Sequence, residues 1–170
     1  MSPLVIHTYP DKILRKKTKP VENINGDVQN IIDRMSETMY AAPGVGLASI
    51  QVGINRSILI YDIAPRDQRR ELHVLINPTI IASEGEIVSS DEGCLSVPEY
   101  RADVKRAKFV LVEGVDRDGN PLRIEAEDLL ATVLQHEIDH LNGKLFIDRI
   151  SRLKRELFKK RIQKQLQKGG

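Results

Sequence analysis

Gln135-His136-Glu137-Ile138-Asp139-His140 is the stretch whose reading decides this fold. It lies inside Asp128 to Leu141, a run whose apolar spacing predicts a helix. Residues four apart on a helix share a face, so His136 and His140 can present both imidazoles to one metal ion. Glu137 follows the first histidine directly, close enough to take a proton from water activated by that ion. The pattern is H-E-x-x-H, whose chemistry is metal-assisted hydrolysis. Histidines can also pair in a core or on a solvated surface. This chain, however, has only four, and two of them flank a glutamate at this spacing.

Leu129, Leu130, Val133, Leu134, Ile138 and Leu141 put apolar side chains on more than one face of that run. A helix apolar nearly all round is buried. The reading is therefore an α+β domain, with antiparallel or mixed β-sheets packed around a central buried helix that carries the motif, and a helix at the C-terminus. Asn142-Gly143 ends the central helix and Leu145-Phe146-Ile147 packs back on the body.

A hydrolytic centre of this kind takes three protein ligands and keeps one position open. No histidine follows His140, and the downstream carboxylates are Asp148 and Glu156, the latter in a basic segment. Upstream stands Cys94, the only cysteine, within Glu92-Gly93-Cys94-Leu95-Ser96. A lone cysteine is more often a small buried hydrophobe. Beside an unfinished two-histidine site it becomes the better third ligand.

Working outward, Pro10 to Lys17 reads as a short helix. A second helix carries Val28, Ile31, Ile32, Met35 and Met39 in one buried stripe and stops at Pro43-Gly44. Gly44-Val45-Gly46-Leu47-Ala48-Ser49-Ile50-Gln51 has dinucleotide-like glycine spacing, but that motif needs a strand before it and a helix after it. Here the order is reversed, so nucleotide binding is rejected. The glycines instead leave bare backbone where an extended ligand can lie, and Gln51 offers an amide near the reaction centre.

Residues 57–126 are β-rich: Ile58–Ile63, Leu72–Ile76, Thr79–Ala82, Phe109–Val115 and Leu122–Ala126, with turns expected at Asn77-Pro78 and Glu84-Gly85. Asp116-Arg117-Asp118-Gly119-Asn120-Pro121 predicts an antiparallel hairpin between the last two. The Cys94 segment falls between strands, in a loop or at a sheet edge. From Ser151, an N-cap, a last helix carries Leu153, Leu157, Phe158, Ile162 and Leu166.

At 170 residues, with 41% apolar and 29% charged, one domain is expected: residues 1–150 as the catalytic unit and 151–170 as a basic helical tail of the same domain. The tail holds eight Lys/Arg against one acid, a balance of +7, while the rest holds 18 basic and 23 acidic residues, a balance of −5. One cysteine excludes an internal disulfide and fits a reducing compartment. The start, Met1 to His7, lacks the features of a signal peptide, and no apolar stretch is long enough for a bilayer. A cytoplasmic location without a membrane or DNA partner is expected. His7 and His73 are assigned no role.

Three blocks now stand in order: Gly44 to Gln51, Glu92 to Ser96, and Gln135 to His140. The set resembles the peptide deformylase family, and the likeness spans nearly the whole chain. One departure is Ser49, where that family commonly has alanine. The resemblance implies a hydrolase that removes the formyl group from the N-terminal formylmethionine of new proteins and releases formate. It implies Cys94, His136 and His140 as metal ligands and Glu137 as general acid/base. Gln51 and the backbone N–H of Leu95 would hold the carbonyl oxygen. Gly44, Val45 and Gly46 would line the substrate cleft, with Arg101 on the substrate side. The implied cofactor is one divalent ion, Fe²⁺ in cells, replaceable by Ni²⁺, Co²⁺ or Zn²⁺. The implied partners are formylmethionyl nascent polypeptides and, through the basic helix, the ribosome. Two rivals remain open at this point: a zinc peptidase with Asp148 or Glu156 as third ligand, and a structural metal domain whose basic tail binds RNA.

Overall fold

The computed structural model describes residues 3–169, so Met1 and Ser2 of the start and Gly170 of the tail lie outside the described residues. The elements run α1 (Gly26–Ala41), β1 (Gly46–Ala48), β2 (Ile58–Tyr61), β3 (His73–Glu84), β4 (Ile87–Cys94), β5 (Val97–Arg106), β6 (Phe109–Val115), β7 (Pro121–Glu127), α2 (Asp128–Leu141) and α3 (Arg152–Lys168). Three short 3₁₀ turns join them at Lys12–Arg15, Ser49–Val52 and Phe146–Arg149.

The strands form a five-stranded antiparallel sheet in the order β1-β2-β3-β6-β7, and a separate two-stranded sheet, β4-β5. Alternation along β2 assigns the two faces of the larger sheet. Leu59 and Tyr61 point toward α2, where Ala131, Leu134, Ile138 and Leu141 meet Leu75, Val110 and Val112. Ile58 and Ile60 point the other way, toward Val28, Ile32, Met35 and Met39 of α1. Each helix therefore seals one face of the sheet, and α2 spans the length its apolar spacing predicts, Asp128 to Leu141. A third cluster joins Phe146, Ile147 and Phe158 to Leu14, Val97 and Val104, beneath the smaller sheet.

Several elements differ from expectation for identifiable reasons. Asn77-Pro78 does not end a strand: β3 runs on through it with a register shift between Ile76 and Thr79. Asn77, at φ 53°, accepts the Val21 N–H at 2.8 Å and donates to the Val21 carbonyl at 2.9 Å. A bulge locked from outside thus replaces the turn. The helix expected over Pro10–Lys17 shrinks to the turn Lys12–Arg15, capped by Asp11. In α3 only Phe158 is buried, while Leu153, Leu157 and Leu166 are 71%, 58% and 57% exposed. No helix among the described residues is long and apolar enough to cross a membrane.

Candidate metal centre

Two unrelated elements carry the three candidate ligands. α2 carries His136 and His140 one turn apart. The β4-β5 hairpin brings Cys94 opposite Val97 across the tight turn Leu95-Ser96. Register shifts on either side of Glu92, with Asp91 at φ 53°, break the regular pairing of this hairpin just before the cysteine. Bulges of this kind re-aim side chains near sites. Cys94 Sγ stands 3.3 Å from His140 Nε2, which is 3.3 Å from His136 Nε2. One donor atom from each of the three residues lies within 4.8 Å of the others.

The donor set fits a metal ion. Glu92 Oε1 accepts a hydrogen bond from His136 Nδ1 at 2.7 Å, which leaves the Nε2 lone pair facing the centre. Burial pulls His136 down, but the charge of Glu137 and the hydrogen bond and charge of Cys94 carry it well above the ordinary histidine range. Burial and the charge of His136 push His140 the other way. Three potential donor atoms thus meet at one point. A divalent cation with thiolate and imidazole ligands satisfies all three.

Glu137 lies beside this point and is 4% exposed. Its Oε1 has no hydrogen-bond partner among the described residues. Burial raises its carboxyl to about 7, with Glu92 and Asp139 adding to the rise and His136 and Arg106 opposing it. The Gly46 backbone comes so close that a Cβ there would sit 2.6 Å from Glu137 Oε2. Only glycine permits that approach. Gln51, 2% exposed, accepts the Ala48 N–H at 3.0 Å, donates to Ser96 Oγ at 3.0 Å and reaches to 3.7 Å from Cys94 Sγ.

The centre opens into a cleft of about 600 Å³. Its lining includes Gly44, Val45 and Gly46 together with Leu95 and Arg101. β1 is the outer strand of its sheet, paired with β2 on one side. Arg101 packs over Gly93 and donates to the Asp91 carbonyl at 3.1 Å.

The profile of the polypeptide deformylase family matches residues 3–156. The chain belongs to the peptide deformylase family. It is 55% identical over 169 residues to a peptide deformylase of Desulfosudis oleivorans, covering 99% of this chain and 98% of that one. A Thermodesulfovibrio yellowstonii peptide deformylase is 53% identical, with 96% and 98% of the two chains covered. The crystal structure of a Legionella pneumophila peptide deformylase superposes with a TM-score of 0.88 at 44% identity, covering 97% and 96%. The chain's activity is that of the family: metal-dependent hydrolysis removing the N-formyl group from formylated nascent peptides.

The two alternative third ligands are elsewhere. Asp148 pairs with Arg15 at 2.6 Å, and Glu156 lies on α3 within 3.9 Å of Lys159. His7 pairs with Asp11 at 2.8 Å, and His73 stacks on Tyr61 with ring centroids 5.0 Å apart. Sequence reasoning missed the groups behind the candidate ligands: Glu92, Arg106, Asp139 and Ser96. Burial alone would lift Glu92, but hydrogen bonds from His136 and Arg106 hold it down at about 2. Its position two residues before Cys94, and that of Asp139 inside the histidine motif, were the available signals.

Proposed function

We propose that Cys94, His136 and His140 hold one divalent metal and that Glu137 is the general acid/base of the deformylation. The observation that carries this reading is the convergence of those three donor atoms beside a buried carboxylate that has an unpartnered oxygen. The metal, when bound, lowers the pKa of water toward about 7 and polarises the formyl carbonyl. Glu137 accepts the proton from the attacking water and returns it to the leaving amine, a task suited to a carboxyl poised near neutrality. The Gln51 amide and the Leu95 backbone N–H steady the negative charge that grows on the carbonyl oxygen. Gly44 and Val45 lead into Gly46 at the start of β1, whose outer edge is open to an extended peptide that would lie against it as an added strand. Arg101 borders the same cleft on the substrate side.

Fe²⁺ is the proposed native ion, with Ni²⁺, Co²⁺ or Zn²⁺ able to replace it, and the cytoplasm is the proposed location because a ferrous thiolate site needs a reducing setting. The test is formate release from formyl-Met-Ala-Ser by protein purified without oxygen, with metal content measured on the same sample. Iron-loaded protein is expected to lose activity in air while the Ni²⁺ form keeps it. Equal decay of both forms removes iron, and no formate release removes the reading.

We further propose that residues 1–150 are the catalytic unit and that the 151–170 tail belongs to it while also meeting ribosomal RNA. Phe158 supports the first half: 3% exposed, it packs against Tyr9 and Tyr100 with ring centroids 5.4 and 4.5 Å away. The net +7 of the tail supports the second. Deleting the tail would uncover that aromatic cluster, so charge is the better probe. Lys160→Glu, Lys164→Glu and Lys168→Glu together are expected to weaken ribosome binding and flatten its salt dependence while peptide turnover stays within about twofold. Unchanged ribosome affinity across salt concentrations rules out the contact.

A further inference from the structure

We propose that Arg149 is a positioning residue for the metal centre, acting through Asp139, Arg106 and Glu92 on the imidazole of His136. This rests on the reading of Cys94, His136 and His140 as the ligands. Arg149 donates from Nη2 to Asp139 Oδ1 at 2.8 Å and from Nε to Oδ2 at 3.1 Å. Asp139 Oδ2 also accepts from Arg106 Nη1 at 3.2 Å. Arg106 also donates to Glu92, from Nε to Oε2 at 3.0 Å and from Nη2 to Oε1. Glu92 Oε1 in turn receives His136 Nδ1 at 2.7 Å. Each step is a direct hydrogen bond, and the charges alternate from Arg149 to Glu92. The Arg106, Glu92 and Asp139 side chains are 2%, 9% and 11% exposed, whereas Arg149 is 42% exposed.

Arg106 serves two buried carboxylates at once. By engaging both oxygens of Asp139 from outside, Arg149 relieves the pull of that carboxylate on Arg106 and leaves the guanidinium fork aligned on Glu92. Without Arg149, Asp139 would keep one cation and draw Arg106 toward itself. Glu92 would then hold His136 less firmly. The other histidine cannot compensate, because His140 Nδ1 has no hydrogen-bond partner among the described residues. The orientation of the histidine pair therefore depends on the Glu92 anchor. Loss of a cation could also act through charge alone, by making the surroundings of the metal more negative. Arg149 is partly exposed and borders a hollow of about 260 Å³, so solvent screens its charge. Water does not reproduce its two-pronged geometry.

The test loads wild type, Arg149→Ala, Arg149→Lys and Arg15→Ala with Co²⁺. It reads the rate of metal release to excess chelator, the visible absorption of the bound Co²⁺, and the melting temperature of the metal-free protein. Arg15→Ala is the control: it cuts the ion pair to Asp148 in the same 3₁₀ turn without touching Asp139. Arg149→Ala is expected to release Co²⁺ about three- to tenfold faster with a changed spectrum, below the ~10–100-fold typical of a partner bonded directly to a ligand. Arg149→Lys should not restore the wild-type rate, since an ammonium cannot span both oxygens of Asp139. Arg15→Ala should behave as wild type. Wild-type release and spectrum in Arg149→Ala overturn the proposal, as does slower release, which would be the pure charge effect. Faster release in Arg15→Ala to the same degree also overturns it, because general loosening of the turn would then explain the result. Failure of the ligand assignment itself is a separate outcome: Cys94→Ala, loaded alongside, would then retain Co²⁺ as tightly as wild type.

Discussion

Glu137→Gln is expected to retain its metal and lose ~10²–10⁴ in turnover. The amide matches the carboxylate in size, which matters because the side chain sits in a slot with no room to spare. A Cβ on Gly46 would lie 2.6 Å from one of its oxygens, and the residue is only 4% exposed. The substitution therefore leaves packing intact and removes only the ability to accept and return a proton. Burial raises this carboxyl to about 7, where it can do both at neutral pH. Neither ligand nitrogen is touched: the orientation of His136 is set from its other side by Glu92 at 2.7 Å. Formate release at saturating formyl peptide, with metal content on the same preparation, separates the two properties. Turnover near wild type would remove Glu137 from the mechanism, and a drop that merely followed metal loss would make it a structural residue.

The contrast between α2 and the β4-β5 hairpin explains how much could be read from the sequence. α2 was legible because burial on several sides demands apolar residues at many positions, and that demand shows as composition. Its H-E-x-x-H pattern is also local, with both histidines and the glutamate fixed by one helical turn. β4 hid because Ser89, Asp91 and Glu92 give it no run of alternating apolar residues. A two-stranded sheet with an exposed face does not require one. The bulges that aim Cys94 leave no pattern at all. Cys94 could therefore be nominated from its chemistry, while its meeting with α2 could not be derived from spacing.

The charged network behind the candidate ligands was illegible for a different reason. Glu92 and Arg106 lie 14 positions apart, Arg106 and Asp139 33 apart, and the three join only when the β4-β5 hairpin folds against α2. In a chain that is 29% charged, nothing local separates these three from side chains bound for solvent. Buried charges of this kind persist only when hydrogen-bonded to one another, a property visible only in three dimensions. α3 shows the limit of spacing from the other side. Leu153 and Leu157 share helical spacing with other apolar residues of this helix, yet only Phe158 is buried, between Tyr9 and Tyr100. Spacing predicts which residues share a face and says nothing about whether a neighbour exists to cover it.

Cys94→Ala is expected to abolish stable metal retention while leaving the fold standing. Its sulfur stands 3.3 Å from His140 Nε2, and in the proposed site it is the one sulfur donor beside two imidazoles. Removing it takes away a ligand atom and the negative charge that offsets half of a divalent cation. The loss in affinity should exceed the ~10–100-fold that follows from removing a partner bonded to a ligand. A cysteine that merely filled space would behave differently: truncation to alanine beside Gly93 would cost little packing and leave metal content unchanged. The two cases separate on metal analysis after passage through a chelating column, with the melting temperature of the metal-free variant measured alongside. Full, tight occupancy in Cys94→Ala would return this residue to the core and reopen the search for a third ligand. Depleted metal with an unchanged metal-free melting temperature would place its role at the ion, because a packing defect would lower the stability of the metal-free protein as well.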